Sequence, residues 1–229
     1  LEHIDVFRAL TSLTRLDIRD GDWSDGNVEL LTAAPAPALL QSVYMHATLL
    51  TNPMGTLLAR LPALTDLDPM SVDGDPSFLA LMPQLRKVRL HCQPSVDAAL
   101  LMAALSCCGQ ISSLDLADAA VTDEQLCVLL PSLPLLSVLA LHHMSDVTSL
   151  RFLSQTAHLS RTLHELTLVH CDHLEPVELH HLRTLFCLKK LCVKGRLTAA
   201  LDGLSLAQFD PASPAFDKQR WPMLETFEH

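Results

Sequence analysis

Apolar and polar positions alternate in short bursts along this chain, and the bursts return at a regular interval. The unit is L-x-x-L-x-L. It reads Leu13-Leu16-Ile18, Leu40-Val43-Met45, Leu64-Leu67-Pro69 and Leu85-Val88-Leu90. It continues as Ile111-Leu114-Leu116, Leu136-Leu139-Leu141, Leu163-Leu166-Leu168 and Leu188-Leu191-Val193, and a ninth frame, Leu224-Phe227, is cut off by the end of the chain. Successive frames start 27, 24, 21, 26, 25, 27, 25 and 36 residues apart. Self-similarity of this period marks one supersecondary unit repeated along the chain.

Each frame predicts a short strand. Period-two alternation puts Leu166 and Leu168 on one face and Glu165, Thr167 and Val169 on the other. The return path is predicted helical: after Asp172, Glu175 and Pro176, residues Leu179 and Leu182 recur at helical spacing, and Pro is favoured in a first turn. Asn52-Pro53 and Asp75-Pro76 read as N-cap followed by first helical residue. Ser95 reads as the cap of a run from Val96 to Leu105, and Thr122-x-x-Gln125 as a capping box ahead of Leu126, Val128 and Leu129. Pro69 has no N–H for a ladder bond, so a local break is predicted near 68–76. Neither half of a unit buries its apolar face alone, so neighbours must stack.

The pattern resembles the leucine-rich-repeat superfamily over essentially the whole chain. Within it, "CGQISSLDL" (108–116), "VTDEQL" (121–126) and "LHELTLVHC" (163–171) are similar to the ribonuclease-inhibitor-like repeats and to the cysteine-containing repeats found behind F-boxes. Cys108, Thr122-Asp123 and Cys171 look like recurring positions of the cysteine-containing subclass. The turn positions depart from the family: Gly21, Thr48, Val72, Gln93, Ala119, Met144, Cys171 and Arg196 stand where Asn or Cys is usual, and only Cys171, Thr48 and Gln93 suit that role. The resemblance implies an α/β fold: a curved right-handed solenoid of about eight to nine repeats, with a parallel concave β-sheet and short convex helices. One domain over 1–229 is expected, with an insertion at 195–219 that fills the longest step. Residues 1–10 read as the tail of an earlier helix with Ile4, Phe7 and Leu10 at near-helical spacing. Because the last residues stop inside a repeat, the native protein is expected to continue past His229 and before Leu1.

Composition narrows the picture. Hydrophobic residues make up 49% of the 229 and aromatic residues only 4%, so a Leu-, Ala-, Val- and Met-built core is expected. No apolar run reaches membrane-spanning length, so membrane insertion is not expected. The formal net charge of -10 repels polyanions and disfavours nucleic acid as partner. The 7 cysteines are odd in number, with no CxxC pair, which favours reduced thiols and an intracellular, cytoplasmic setting.

Candidate chemistry is read in columns, since equivalent positions on neighbouring parallel strands lie about 4.8 Å apart. Cys92, Asp118, His143 and His170 occupy one column and are all competent metal ligands. Four strands span roughly 14 Å, whereas zinc needs its ligands within about 2.3 Å of one point. A polar, solvated strand rim is therefore the preferred reading, and no metal or cofactor is expected. The four histidines of 163–182 fall on strand and helix positions that do not converge. Signatures of phosphate loops, dinucleotide sites, serine hydrolases and zinc proteases are absent, so no catalytic residue is assigned.

The concave strand face remains. Its outward positions offer Arg15, Asp17, Arg19, Tyr44, His46, Asp66, Asp68, Lys87, Arg89, His91, Asp115, His142, Glu165 and Thr167 as candidate partner-binding residues. Tyr and Arg are the residue types that most often anchor interfaces. The expected function is a non-enzymatic module docking a protein partner. The family resemblance alone adds the substrate-recognition part of a ubiquitin ligase adaptor as an alternative; a structural subunit of a large assembly and, less favoured, a metal-binding protein are the others.

Overall fold

The structure is a computed structural model and describes residues 12–18, 25–33, 39–196 and 225–228. The chain divides into two compact units, Leu1–Ile111 and Ser112–His229. Every strand in both is parallel to its neighbours and follows chain order.

The first unit carries β1 (Arg15–Ile18), β2 (Ser42–Leu50), β3 (Asp66–Val72) and β4 (Lys87–His91). The register joins Arg15 to Ser42, Ser42 to Asp66 and Asp66 to Lys87, and the next positions Leu16, Val43, Leu67 and Val88 align in the same way. The second unit carries β5 (Ser113–Ala117), β6 (Val138–His142), β7 (Glu165–Val169), β8 (Lys190–Lys194) and β9 (Thr226–Glu228). Here Leu114, Leu139, Leu166, Leu191 and Phe227 align in one row. At these frame positions the columns expected from the sequence are the columns of the ladder, while beyond the frame Ser71 pairs with Leu49 and Cys92 bridges Val72.

One device starts β2–β4 and β6–β9. The carbonyl just before a strand accepts two successive N–H groups of the following repeat, as Gln41 O does from Thr65 and Asp66 at 2.8 and 2.9 Å. Ser137 O takes His164 and Glu165 at 2.8 and 3.0 Å, and Lys189 O takes Glu225 and Thr226 at 2.7 and 3.0 Å. Backbone groups are thereby satisfied between repeats rather than within them. Every frame residue from Leu40 to Val193 is buried, Pro69 included. Burying a leucine side chain contributes roughly 1.5–3 kcal/mol, so the row of frames is the main source of stability.

The helical side shows which caps the residues choose. Thr122 and Gln125 form the capping box of the Asp123–Leu129 helix, and Asp75 accepts from Ser77 N to open the Pro76–Leu81 3-10 helix. Two expectations are corrected. Asp97, not Ser95, caps the Ala98–Ser106 helix, accepting from Ala99 N and Leu100 N at 2.8 and 3.1 Å. A carboxylate two residues nearer the helix outcompetes the hydroxyl, which instead hydrogen-bonds Asp73 of the preceding repeat. Thr51 stands at the N-cap of the Asn52–Leu58 helix, so Asn52 is inside it and sends its amide to Asp75 O and Ser77 Oγ. Short returns also tighten: Pro176–Thr184 is a 3-10 helix, whose i, i+3 period suits Leu179 and Leu182.

The predicted break at Pro69 is a shift rather than an end. Pro69 stays in β3 opposite Met45, and the register slips between Met45 and Leu49. Between β3 and β4 the ladder holds at Asp66 and Leu67 and returns at one bridge, Val72 to Cys92. Four residues of β3 face three of β4 across that gap, which is a bulge. The expected helix over 1–10, the strand position Arg19, the turn position Gly21 and residues 197–219 of the insertion lie outside the described residues.

Candidate functional site

The strand face of the first unit, opposite the buried frames, carries a layered set of charges. The carboxylates lie low and the cationic groups reach out. Arg89 Nη1 sits 3.0 Å from Asp68 Oδ2, with Arg89 62% and Asp68 17% exposed. Asp66 Oδ2 accepts from Ser42 Oγ at 3.2 Å and stands 3.9 Å from Lys87 Nζ. Asp17 lies 3.4 Å from His46 Nε2 and 3.8 Å from Arg15 Nη2. The Arg15 guanidinium covers the Tyr44 ring, 4.4 Å from its centroid. Exposed ion pairs contribute only about 0–1 kcal/mol to stability, so this set presents charge more than it holds the fold. Nine candidates therefore share this unit: Arg15, Asp17, Tyr44, His46, Asp66, Asp68, Lys87, Arg89 and His91. Arg19 lies outside the described residues.

The second unit's face is plainer. His142 Nε2 is 3.4 Å from Asp115 Oδ1, Thr167 is half-buried and Glu165 is exposed. The outward positions Ala140 and Cys192 are uncharged and buried, so this face offers fewer charged groups at its centre than that of the first unit.

At the ends of β5–β8 the metal-competent column has a backbone role. Asp118, His143 and His170 each have φ 53°, and Gly195 has φ 97°. Their amides, Asp118 N, His143 N and His170 N, donate to His142 O, Val169 O and Lys194 O of the next repeat at 3.0, 2.8 and 3.0 Å. The His143 and His170 rings stack, centroids 4.9 Å apart at 15°. Cys92 belongs to the first unit. Among the described residues no group of three or more His, Cys, Asp or Glu is placed to hold a metal ion.

The cysteines divide by position. Cys171 Sγ points at Leu141 O and Val169 O, and Cys108 Sγ at Leu79 O, Met82 O and Ala104 O. Burial pushes both thiols up to about 11, with the neighbouring Cys107 adding to the effect at Cys108. Both are protonated donors bonding neighbouring turns, not nucleophiles. None of the seven cysteines, all among the described residues, is in a disulfide. Among the described residues no helix is long and apolar enough to cross a membrane.

No family model and no curated protein matches the sequence. Solved structures do match in fold. An internalin (inlF) from Listeria monocytogenes superposes with TM-score 0.59 at 20% identity, over 88% of this chain and 53% of its own. The plant peptide hormone receptor RGFR1, solved in complex with RGF2, gives 0.51 at 14% over 82% of this chain and 29% of its own. TLR13 in its ssRNA13 complex gives 0.56 at 15%, over 98% of this chain and 37% of its own. The chain thus spans about half of that internalin and a smaller share of RGFR1 and TLR13. Parallel strands in chain order, buried leucine frames and these likenesses define an α/β leucine-rich-repeat fold.

Proposed function

We propose that this chain is a non-enzymatic interaction module that docks a protein partner on the open strand face of its first unit. The observation that supports this most is the Arg15–Tyr44 stack. The only tyrosine of the chain lies half-buried on the face, held under a guanidinium and flanked by the Asp17, Asp66 and Asp68 carboxylates. Tyr and Arg are enriched among the residues that anchor interfaces, and Tyr buries a large area at low entropic cost. The ladder presents them without rearrangement, which lowers the cost of ordering on binding.

Among the neighbours in fold, one is solved with a peptide hormone and one with RNA. For this chain a net charge of -10 favours a protein ligand over a polyanion. The partner's complementary patch carries basic side chains toward Asp17, Asp66 and Asp68, and acidic ones toward Arg15, Lys87 and Arg89.

Affinity capture with the intact protein, alongside the Tyr44→Ala plus Arg89→Glu double variant, tests this. Both positions lie on the face outside the buried frames, so the variant is expected to keep its circular dichroism while losing the captured partner. Equal capture by both proteins would count against the strand face.

A further inference from the structure

On the helical side of the second unit, a groove of about 600 Å³ runs between residues 153–162 and the end of the Pro176–Thr184 3-10 helix. It is formed by the returns that lead into β7 and β8, away from the strand face. Its walls include Arg161, Arg183, His158 and Phe186, and they contain no carboxylate. Arg161 and Arg183 are exposed, and among the described residues neither makes an ion pair. Phe186 is 59% exposed, the most of any phenylalanine among the described residues.

Charge is segregated around this place. Residues 112–150 carry five acidic side chains and no Lys or Arg, whereas 151–196 carry seven basic and four acidic. In a chain of net charge -10, two arginines without an ion pair among the described residues, beside an exposed phenylalanine, stand out.

We propose that this groove takes an acidic peptide segment of a partner protein. Arg161 and Arg183 pair with its carboxylates, for which the guanidinium fork is matched in geometry, and Phe186 covers an apolar side chain between them. Apart from the buried Thr156, the hydroxyls of the walls favour a peptide over a nucleic acid. Ser160 Oγ donates to Ala157 O, Thr162 Oγ1 to His158 O and Thr184 Oγ1 to His181 O, at 2.8, 3.2 and 2.9 Å. Their protons are committed, so only oxygen lone pairs remain to face the groove. A peptide backbone brings N–H donors to such acceptors, and a phosphodiester backbone brings none. His158 Nε2 is held by Leu133 O at 3.0 Å and stays in the wall.

The test is fluorescence anisotropy of the full chain with a short labelled peptide of alternating Glu and Leu. Its counterpart of alternating Gln and Leu and a labelled oligothymidylate are run beside it. The expected result is saturable binding of the Glu peptide that weakens with salt, and about tenfold or more weaker binding of the Gln peptide. Arg161→Glu plus Arg183→Glu is expected to lose about tenfold or more in affinity, while Arg60→Glu, at an exposed position after the Asn52–Leu58 helix of the first unit, leaves it unchanged. If charge reversal unfolds the chain, Arg161→Gln plus Arg183→Gln replaces it. No measurable binding, equal binding of the Glu and Gln peptides, preference for the oligonucleotide, or undiminished affinity in the folded double variant would each overturn the assignment. The strand face can fail its own capture test without touching this result.

Discussion

Strands β5–β8 and strands β2–β3 are built on the same leucine frame, yet they end differently. In the second unit each of β5 to β8 has 5 residues and then stops. The next residue is Asp118, His143, His170 or Gly195, and all four have positive φ. In the first unit β2 runs for 9 residues and β3 for 7, straight through the equivalent positions Ala47 and Ser71. Asp and His enter the left-handed region more readily than most residues, and glycine enters it at no steric cost. Ala and Ser stay extended, so the strand runs on and its register slips. In β2, β3 and β5–β8 strand length follows the residue after the frame, whereas β4, also 5 residues long, is followed by Cys92 in an extended bridge to Val72.

The largest effect expected from a single change lies in the first unit, which depends on a close approach between helices. A Cβ on Gly55 would lie 2.2 Å from Cγ of the buried Phe78 ring. Gly55→Ala should therefore cost about 3 kcal/mol in urea unfolding, as overpacking of a rigid core does. A variant of unchanged stability would mean that the ring moves freely there.

The strand-end comparison itself breaks on His143→Val. A β-branched residue at φ 53° is strained, so a loss of about 2 kcal/mol is expected. Cys92→Val, at the matching column of the first unit, should cost under about 1 kcal/mol, because Cys92 bridges Val72 in extended pairing. Equal losses in the two variants would refute the account of strand ends.

A smaller effect concerns pH. Glu178 accepts from Ser149 Oγ at 2.6 Å and from Leu150 N at 3.0 Å, tying one repeat to the one before it. Burial alone would raise its carboxyl, but these two hydrogen bonds and the nearby His181 and His180 bring it below the ordinary glutamate value. Burial and the adjacent His180 hold the His181 imidazole below its ordinary value, against the pull of Glu178. Both folded values are depressed, so both contributions are present above the unfolded values and are lost as pH falls through the folded ones. The melting temperature should begin to drop below about pH 6.5 with His181 and fall further below about pH 4.5 with Glu178. Glu178→Gln should cost about 1 kcal/mol at neutral pH and flatten the lower part of that curve.

The smallest expected change is a gain. The Thr156 hydroxyl is buried without a hydrogen-bond partner among the described residues. Thr156→Val removes that unmet group in the same shape and should raise stability by about 0.5–1 kcal/mol. A rise in the thermal unfolding midpoint reads it directly.

Much of the fold was legible along the chain. The frames located the strands from Arg15 to Lys194, and their spacing set the pairing register, because a buried stripe of period two admits one face only. The capping box at Thr122 and the Asp75 cap were legible because they are local. Ser95 misled because two polar residues compete within one turn, and only the backbone path shows which of them faces the helix. The column of Cys92, Asp118, His143 and His170 was read by side-chain chemistry alone, while backbone conformation explains its last three members. Arg161, Arg183 and Phe186 carried no motif, and their meaning arose from an absence of nearby carboxylates that no linear pattern displays.

By itself the order of residues determined the repeat, the strand positions and which leucines go inside. These follow from short-range periodicity and the cost of leaving apolar area in water. Only the tertiary structure decided which charges lie low or reach out, which thiols bond a neighbouring carbonyl, and which arginines stand without a carboxylate. Each of those depends on groups about 20 to 30 residues apart meeting across adjacent repeats, and their separation is fixed by packing rather than by sequence distance.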